Sequence, residues 1–232
     1  IHDYNGDRYQ LLGGVIEGAS GKSLATELSR RILLPVGMVD TALNPLGAWD
    51  GGASLSGFEE LQYVFGWGEP FAHYPDVYRR LAAPYQFDAG FAIVPGMYHL
   101  SHGPAAGLNS SVLDLARFSM ALDDGSLLGD AARSEMLRPA VPVPNTHEGC
   151  SYGLGWYAQD FQGVTLQWHT GRWPPSTSAL LLRVPEYDLA LFVLANTDNL
   201  TVPFIGLGNG DVMHSVLALI FHRHFVYPAR FG

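Results

Sequence analysis

The run "VTLQWHTGRWPPSTSALLLRVPEYDLALFVLAN", Val164 to Asn196, decides the fold. It holds three β-rich segments, at residues 164–169, 177–184 and 189–196, separated by short polar or proline-containing turns. "YGLGWYAQ", Tyr152 to Gln159, adds a fourth just upstream. The turns leave no room for crossover helices, so the segments predict an antiparallel meander. "GDVMHSVLALIFHRHF", Gly210 to Phe225, reads as a closing helix able to pack on that sheet.

Working outward, the texture upstream is helical. Leu24, Leu28 and Ile32 recur at helical spacing, which predicts a helix over residues 23–33 stopped by Pro35. Tyr9 to Glu17 is a compact apolar stretch. Residues 45–105, rich in Gly, Pro and aromatics, predict long loops and short helices. In "SSVLDLARFSMALDDG", Ser110 to Gly125, Ser111 and Asp114 make a capping-box-like start and Gly125 closes the helix. A shorter helix is expected over Asp130 to Leu137, before the break "RPAVPVP".

Composition narrows the function classes. A 232-residue chain with 47% hydrophobic and 12% aromatic residues can bury a sizeable core. Its apolar runs fall short of the ~20 residues that span a bilayer. A formal net charge of −9 argues against nucleic acid or an anionic membrane as partner, since both need a basic face. Cys150 stands alone, so no internal disulfide forms and the compartment stays open.

Simple site readings fail one by one. Nine histidines invite a metal, but there is no HExxH helix and no Cys/His ligand set. His222 and His224 lie two apart on a helix and face different ways, and Gly96 and Gly103 argue against a helix carrying His99 and His102. Neither a metal nor another cofactor is expected. "GLGNGD", residues 206–211, lacks the third glycine and the lysine of a phosphate loop and reads as a loop capped by Asp211. "GCSYG", Gly149 to Gly153, matches a G-x-S-x-G nucleophile elbow. That elbow needs a strand before it and a helix after it, whereas a Pro-rich loop precedes Ser151 and a strand follows. Ser151 therefore reads as a loop residue, and an α/β-hydrolase built on it is the minor alternative.

Five landmarks in order carry a stronger pattern. "DYNGDRYQLLGGVIEG" is followed by "LPVGM", then "GPAAGLNSSVLDLARF", "YGLGW" and "WHTG". Together they resemble the class C β-lactamase-like and penicillin-binding-protein-like serine hydrolases, across nearly the whole chain. Tyr4 falls on the tyrosine of that family's Tyr-x-Asn motif, and His169-Thr170-Gly171 on its Lys/His-Thr-Gly motif. The motif asparagine position holds Gly6, with Asn5 one place early.

The resemblance implies an α/β fold of the α+β type. Residues 1–145 would be a mainly helical and loop region, and residues 146–232 an antiparallel sheet with its closing helix. It also implies an acyl-enzyme reaction on a small ester, amide or β-lactam. Tyr4 would move the serine's proton, and His169 would orient Tyr4 or bind the polar end of the substrate. Thr170 would offer a hydroxyl, Gly171 close approach to the strand, and Arg172 a backbone N–H to the oxyanion hole. The family's nucleophile is the serine of a Ser-x-x-Lys. Here Lys22 is the only lysine and Ala19 stands three residues before it, so that motif is missing. In the family it lies upstream of the tyrosine motif, and the expectation is an N-terminally truncated, inactive chain. A non-catalytic member that binds a ligand or partner in the cleft is the competing reading.

Overall fold

The computed structural model describes residues 2–44, 68–96, 103–144, 146, 149–201 and 211–231. The expectations for residues 45–67 and 97–102, with His99 and His102, and for most of the 206–211 loop, lie outside the described residues. The chain forms two compact units, one of Tyr4–Pro84 and Pro95–Phe118, the other of Ile1–Asp3, Tyr85–Val94 and Ser119–Gly232.

In chain order the elements begin with α1 (Gly6–Ser20) and α2 (Leu24–Leu28), which runs on through a π-turn (Ser29–Leu33) and a last turn (Leu34–Val36). β1 (Ala42–Leu43), α3 (Tyr74–Arg79), β2 (Tyr85–Phe87) and β3 (Ile93–Pro95) follow. Next come α4 (Gly103–Ala106), β4 (Leu108–Asn109), α5 (Val112–Asp123) and α6 (Asp130–Leu137). The strands β5 (Val141–Pro142), β6 (Ser151–Tyr152), β7 (Tyr157–Phe161), β8 (Val164–Trp173), β9 (Thr177–Val184) and β10 (Leu189–Ala195) complete the sheet region. α7 (Val216–Phe221) closes the chain, extended by a π-turn (His222–Val226) and a last turn (Tyr227–Phe231).

In the helical unit the apolar stretch after Tyr9 is part of a helix, α1. Gly13 makes its placement possible, because a Cβ there would come within 2.4 Å of Pro104 Cγ on α4. Glu17 accepts the backbone N–H of Leu24 (2.8 Å) and Ser23 caps Thr26 (3.2 Å), which together start α2. Pro35 does not stop that helix. The Leu34 N–H already bonds Ser29 in the π register, and Pro35 is carried in the last turn. The terminator is Gly37, left-handed at φ +74°, with Gly37 bonded to Leu34 and Met38 to Leu33. Met38 and Leu33 are buried together with Tyr74, Val77 and Tyr78 in this unit's core.

The start of α5 follows its predicted cap in half. Ser111 Oγ accepts the Asp114 N–H at 3.2 Å, as a cap should. Asp114 does not reach back to close a box. Its buried carboxylate accepts from the Asp40 N–H and the Thr41 hydroxyl, both at 2.7 Å, and pairs with Arg117. α6 covers the predicted residues.

The sheet unit is the expected meander. Strand order is β10-β9-β8-β7-β6-β5, with antiparallel neighbours throughout. Period-two alternation puts Val164, Leu166 and Trp168 of β8 on one face with Leu180, Leu182 and Val184 of β9. That face packs on Val212, Met213, Ala218, Phe221 and Val226 of the closing segment. Each of the larger side chains stabilises the unit by ~2 kcal/mol. The closing helix starts later than Gly210: Asp211 caps a short 3₁₀ turn, and Ser215 caps α7. On the other face Arg183 is buried, bonding Ser119 Oγ (2.8 Å), pairing with Asp123 and lying 5.6 Å from the Trp156 ring.

Ser151 sits in β6, paired with Pro142 on one side and Ala158 on the other. An antiparallel strand on both sides excludes the strand–elbow–helix geometry, so the reading of Ser151 as an α/β-hydrolase nucleophile is set aside. It is a strand residue, not the loop residue expected. Among the described residues no helix is long and apolar enough to cross a membrane.

Candidate active site

β8 is longer than the apolar run that predicted it, and its second half differs from the first. β7 accompanies it only as far as the pair Tyr157↔Trp168. β9 pairs with it from Gln167 to Trp173. From His169 onward, among the described residues, a strand therefore lies on one side of β8 only. His169, Thr170, Gly171 and Arg172 occupy this one-sided stretch.

His169 is held at both ring nitrogens. Nδ1 lies 2.7 Å from the Thr170 carbonyl, which can only accept, so Nδ1 carries the proton. Nε2 lies 3.1 Å from the Tyr152 hydroxyl. With the ring neutral, Nε2 accepts and Tyr152 donates. Burial lowers the histidine's pKa, and the bond to Thr170, which favours the charged ring, offsets only part of that. A neutral, Nδ1-protonated imidazole follows.

Tyr152 belongs to an aromatic cluster. Its ring meets Tyr157 edge-on at 4.6 Å, and Tyr157 stacks on Trp168 at 5.3 Å. His2 packs on Tyr152 at 5.5 Å. The bond from Tyr152 to His169 had no signal in the sequence beyond "YGLGW", because it depends on the register across β6, β7 and β8.

Gly171 is not demanded by the fold. Among the described residues, a Cβ there would meet only Ala179 Cβ, at an ordinary 3.7 Å. The Arg172 side chain turns to Asp198, with Nη2 3.0 Å from the buried carboxylate. Tyr4 lies in the other unit, just before α1, with its side chain half exposed. Burial, and after it the neighbouring Tyr9, raise its pKa. Asn5 uses its carbonyl to accept the Arg8 N–H at 3.3 Å, and a Cβ on Gly6 would meet nothing within 4 Å. Among the described residues no group of three His, Cys, Asp or Glu is placed to hold a metal ion.

An antiparallel meander closed by a C-terminal helix, with a separate helical unit, defines the class: a β-lactamase/transpeptidase-like fold. Solved structures agree. The octameric penicillin-binding protein homologue from Pyrococcus abyssi matches with a TM-score of 0.65 at 24% identity, over 85% of this chain and 39% of that one. A D-stereospecific amidohydrolase from Streptomyces sp. matches with a TM-score of 0.65 at 20% identity, over 97% and 55%. In sequence the chain is 26% identical over 197 residues to penicillin-binding protein 4* of Bacillus subtilis (strain 168), covering 84% of this chain. Residues 2–207 match the Beta-lactamase family, and the chain belongs to that family. It spans 40% of the length of the Bacillus relative.

Proposed function

We propose that this chain is part of a serine hydrolase that forms an acyl-enzyme on a small ester, amide or β-lactam. The nucleophilic serine and its lysine would come from residues outside these 232, since no Ser-x-x-Lys occurs in them. The observation that carries the reading is His-Thr-Gly on the one-sided half of β8, with a neutral, doubly bonded His169 at its start.

In this scheme the serine oxygen bonds to the acyl carbon and its proton passes through the Tyr4 hydroxyl to the leaving group. Tyr4 needs a cation to bring its raised pKa down for that task, and the missing lysine would supply it. With both nitrogens engaged, His169 orients the strand end and does not carry the proton itself. The Arg172 N–H would bind the developing oxyanion, Thr170 would hydrogen-bond the substrate, and Gly171 would let it approach. An oxyanion-hole donor of this kind stabilises the intermediate by ~3 kcal/mol.

The test is turnover by the longer gene product of a chromogenic cephalosporin, a p-nitrophenyl ester and a D-amino acid p-nitroanilide. Hydrolysis of at least one is expected, with Tyr4→Phe lowering kcat by roughly 100-fold or more. A longer product without Ser-x-x-Lys, or without turnover of any of the three, would leave the non-catalytic ligand-binding reading in place.

A further inference from the structure

Strand β8 brings two groups that can carry positive charge to its one-sided half, His169 and Arg172. Both are answered from within the sheet unit. His169 Nδ1 bonds the Thr170 carbonyl at 2.7 Å and Nε2 meets the Tyr152 hydroxyl at 3.1 Å, so each ring nitrogen faces a protein oxygen. Burial favours the neutral ring. Arg172 pairs with Asp198, Nη2 to Oδ2 at 3.0 Å, and the two charges cancel.

The partners are held in place by the fold. Asp198 is buried, and the segment that carries it is fastened to the β8–β9 turn at two points. The Asp198 N–H bonds the Pro175 carbonyl at 3.4 Å, and the Ser178 hydroxyl bonds the Thr197 carbonyl at 2.7 Å. Ser178 is itself the residue paired with Arg172 across β8 and β9. Tyr152 is set by its edge-on contact with Tyr157, and Tyr157 by stacking on the fully buried Trp168. The consequence is electrostatic. A substrate carboxylate brought against this stretch would shed water, then meet a neutral ring and a guanidinium already neutralised by Asp198. A carboxamide, an alkyl ester or an apolar group pays no comparable penalty.

We propose, resting on the hydrolase reading, that Tyr152 and Asp198 determine specificity: by occupying His169 and Arg172 they make the end of β8 a subsite for uncharged substrate groups. The substrates are then esters or amides with no carboxylate beside the scissile bond on the side that meets β8. Penicillins and cephalosporins, which carry a ring carboxylate, are poor substrates.

The test uses two thioesters of one acyl group, leaving as thioglycolate or as thioglycolamide, so that they differ only in a carboxylate. In the longer gene product kcat/KM should favour the thioglycolamide by roughly 10-fold or more. Asp198→Asn keeps the shape, removes the counter-charge, and should narrow that preference several-fold, mainly by lowering KM for the thioglycolate. Tyr152→Phe, which opens Nε2 to the substrate, should narrow it as well and serves if Asp198→Asn does not fold. A parent that turns over the thioglycolate equally fast overturns the proposal, as do variants that keep the parent's preference. A binding readout needs no turnover. Phenylacetate and phenylacetamide are titrated into the same protein while NMR follows the His169 ring and the Arg172 guanidinium. Phenylacetate should leave both signals unmoved in the parent and shift the Arg172 signal in Asp198→Asn. Movement in the parent, or none in the variant, overturns the proposal. This binding pattern without turnover of either thioester sinks the enzyme reading alone, and turnover indifferent to the carboxylate sinks the specificity alone.

Discussion

At the scale of single residues, His169 shows how a motif position acquires a chemical state. Its tripeptide identifies the position, but the tautomer comes from two neighbours, the Thr170 carbonyl and the Tyr152 hydroxyl. Burial keeps the ring neutral in the fold, while in the unfolded chain it titrates near ~6.5. As pH falls through that value the unfolded chain takes up the proton first. The stability tied to His169 is thus complete above ~6.5 and declines as pH drops toward the lower folded value. NMR titration should give His169 a midpoint below an ordinary histidine's. Urea midpoints between pH 8 and 5 should fall less steeply in His169→Gln than in the parent, the difference isolating it from His222, whose pKa burial also lowers. Identical slopes would refute the neutral assignment. Tyr152→Phe removes a donor to Nε2 and should cost ~1 kcal/mol. Gly171→Ala tests the substrate-approach role from the other side. The fold has room for the methyl, so the melting temperature should hold while kcat/KM of the longer product drops. A loss of stability matching the loss of activity would make Gly171 merely structural.

At the scale of elements, Gly153 shows how closely the pieces are fitted. A Cβ there would lie 2.8 Å from the Arg138 carbonyl oxygen and 2.9 Å from that of Met136, both backbone atoms that cannot swing aside. Gly153→Ala should therefore cost ~1–3 kcal/mol by overpacking, read as a drop in the urea midpoint. Gly155→Ala, at φ +84° with open space around it, should cost less, by strain alone. An equal loss at both positions would mean that conformation and not contact governs this turn. The strands around it were legible from sequence, because period-two alternation and β-branched residues over residues 164–195 admit few other readings. α1 was not legible as a helix. Gly13, Gly14 and Gly18 lower helix propensity, and its apolar positions point away from its own unit, so no inward stripe marks it. Pro35 misled for a related reason: a π-turn upstream alters the hydrogen-bond register in which a proline can be carried.

At the scale of the whole molecule, each unit buries a core of its own and leaves apolar side chains in water. In the sheet unit the inner face is covered by α7 and Arg183 is buried against Ser119 and Asp123 on the other, while Leu219, Ile220 and Phe225 of the closing segment stay exposed. The sequence carried this much because sheet and closing helix are contiguous in the chain. The helical unit keeps its core around Tyr74 and Tyr78 but leaves the apolar stripe of α1 in water. No reading of Tyr9 to Glu17 by itself could tell which side of α1 faces in, since that is settled by Gly13 fitting against Pro104. A double substitution, Leu11→Lys with Val15→Lys, separates the two environments the stripe can have. In the 232-residue chain both side chains are exposed and lysine is a good helix former, so the urea midpoint should shift by no more than ~0.5 kcal/mol. Self-association at high concentration should fall as the apolar surface is lost. A large loss of stability in the double variant would instead place the stripe in a core that these residues build themselves.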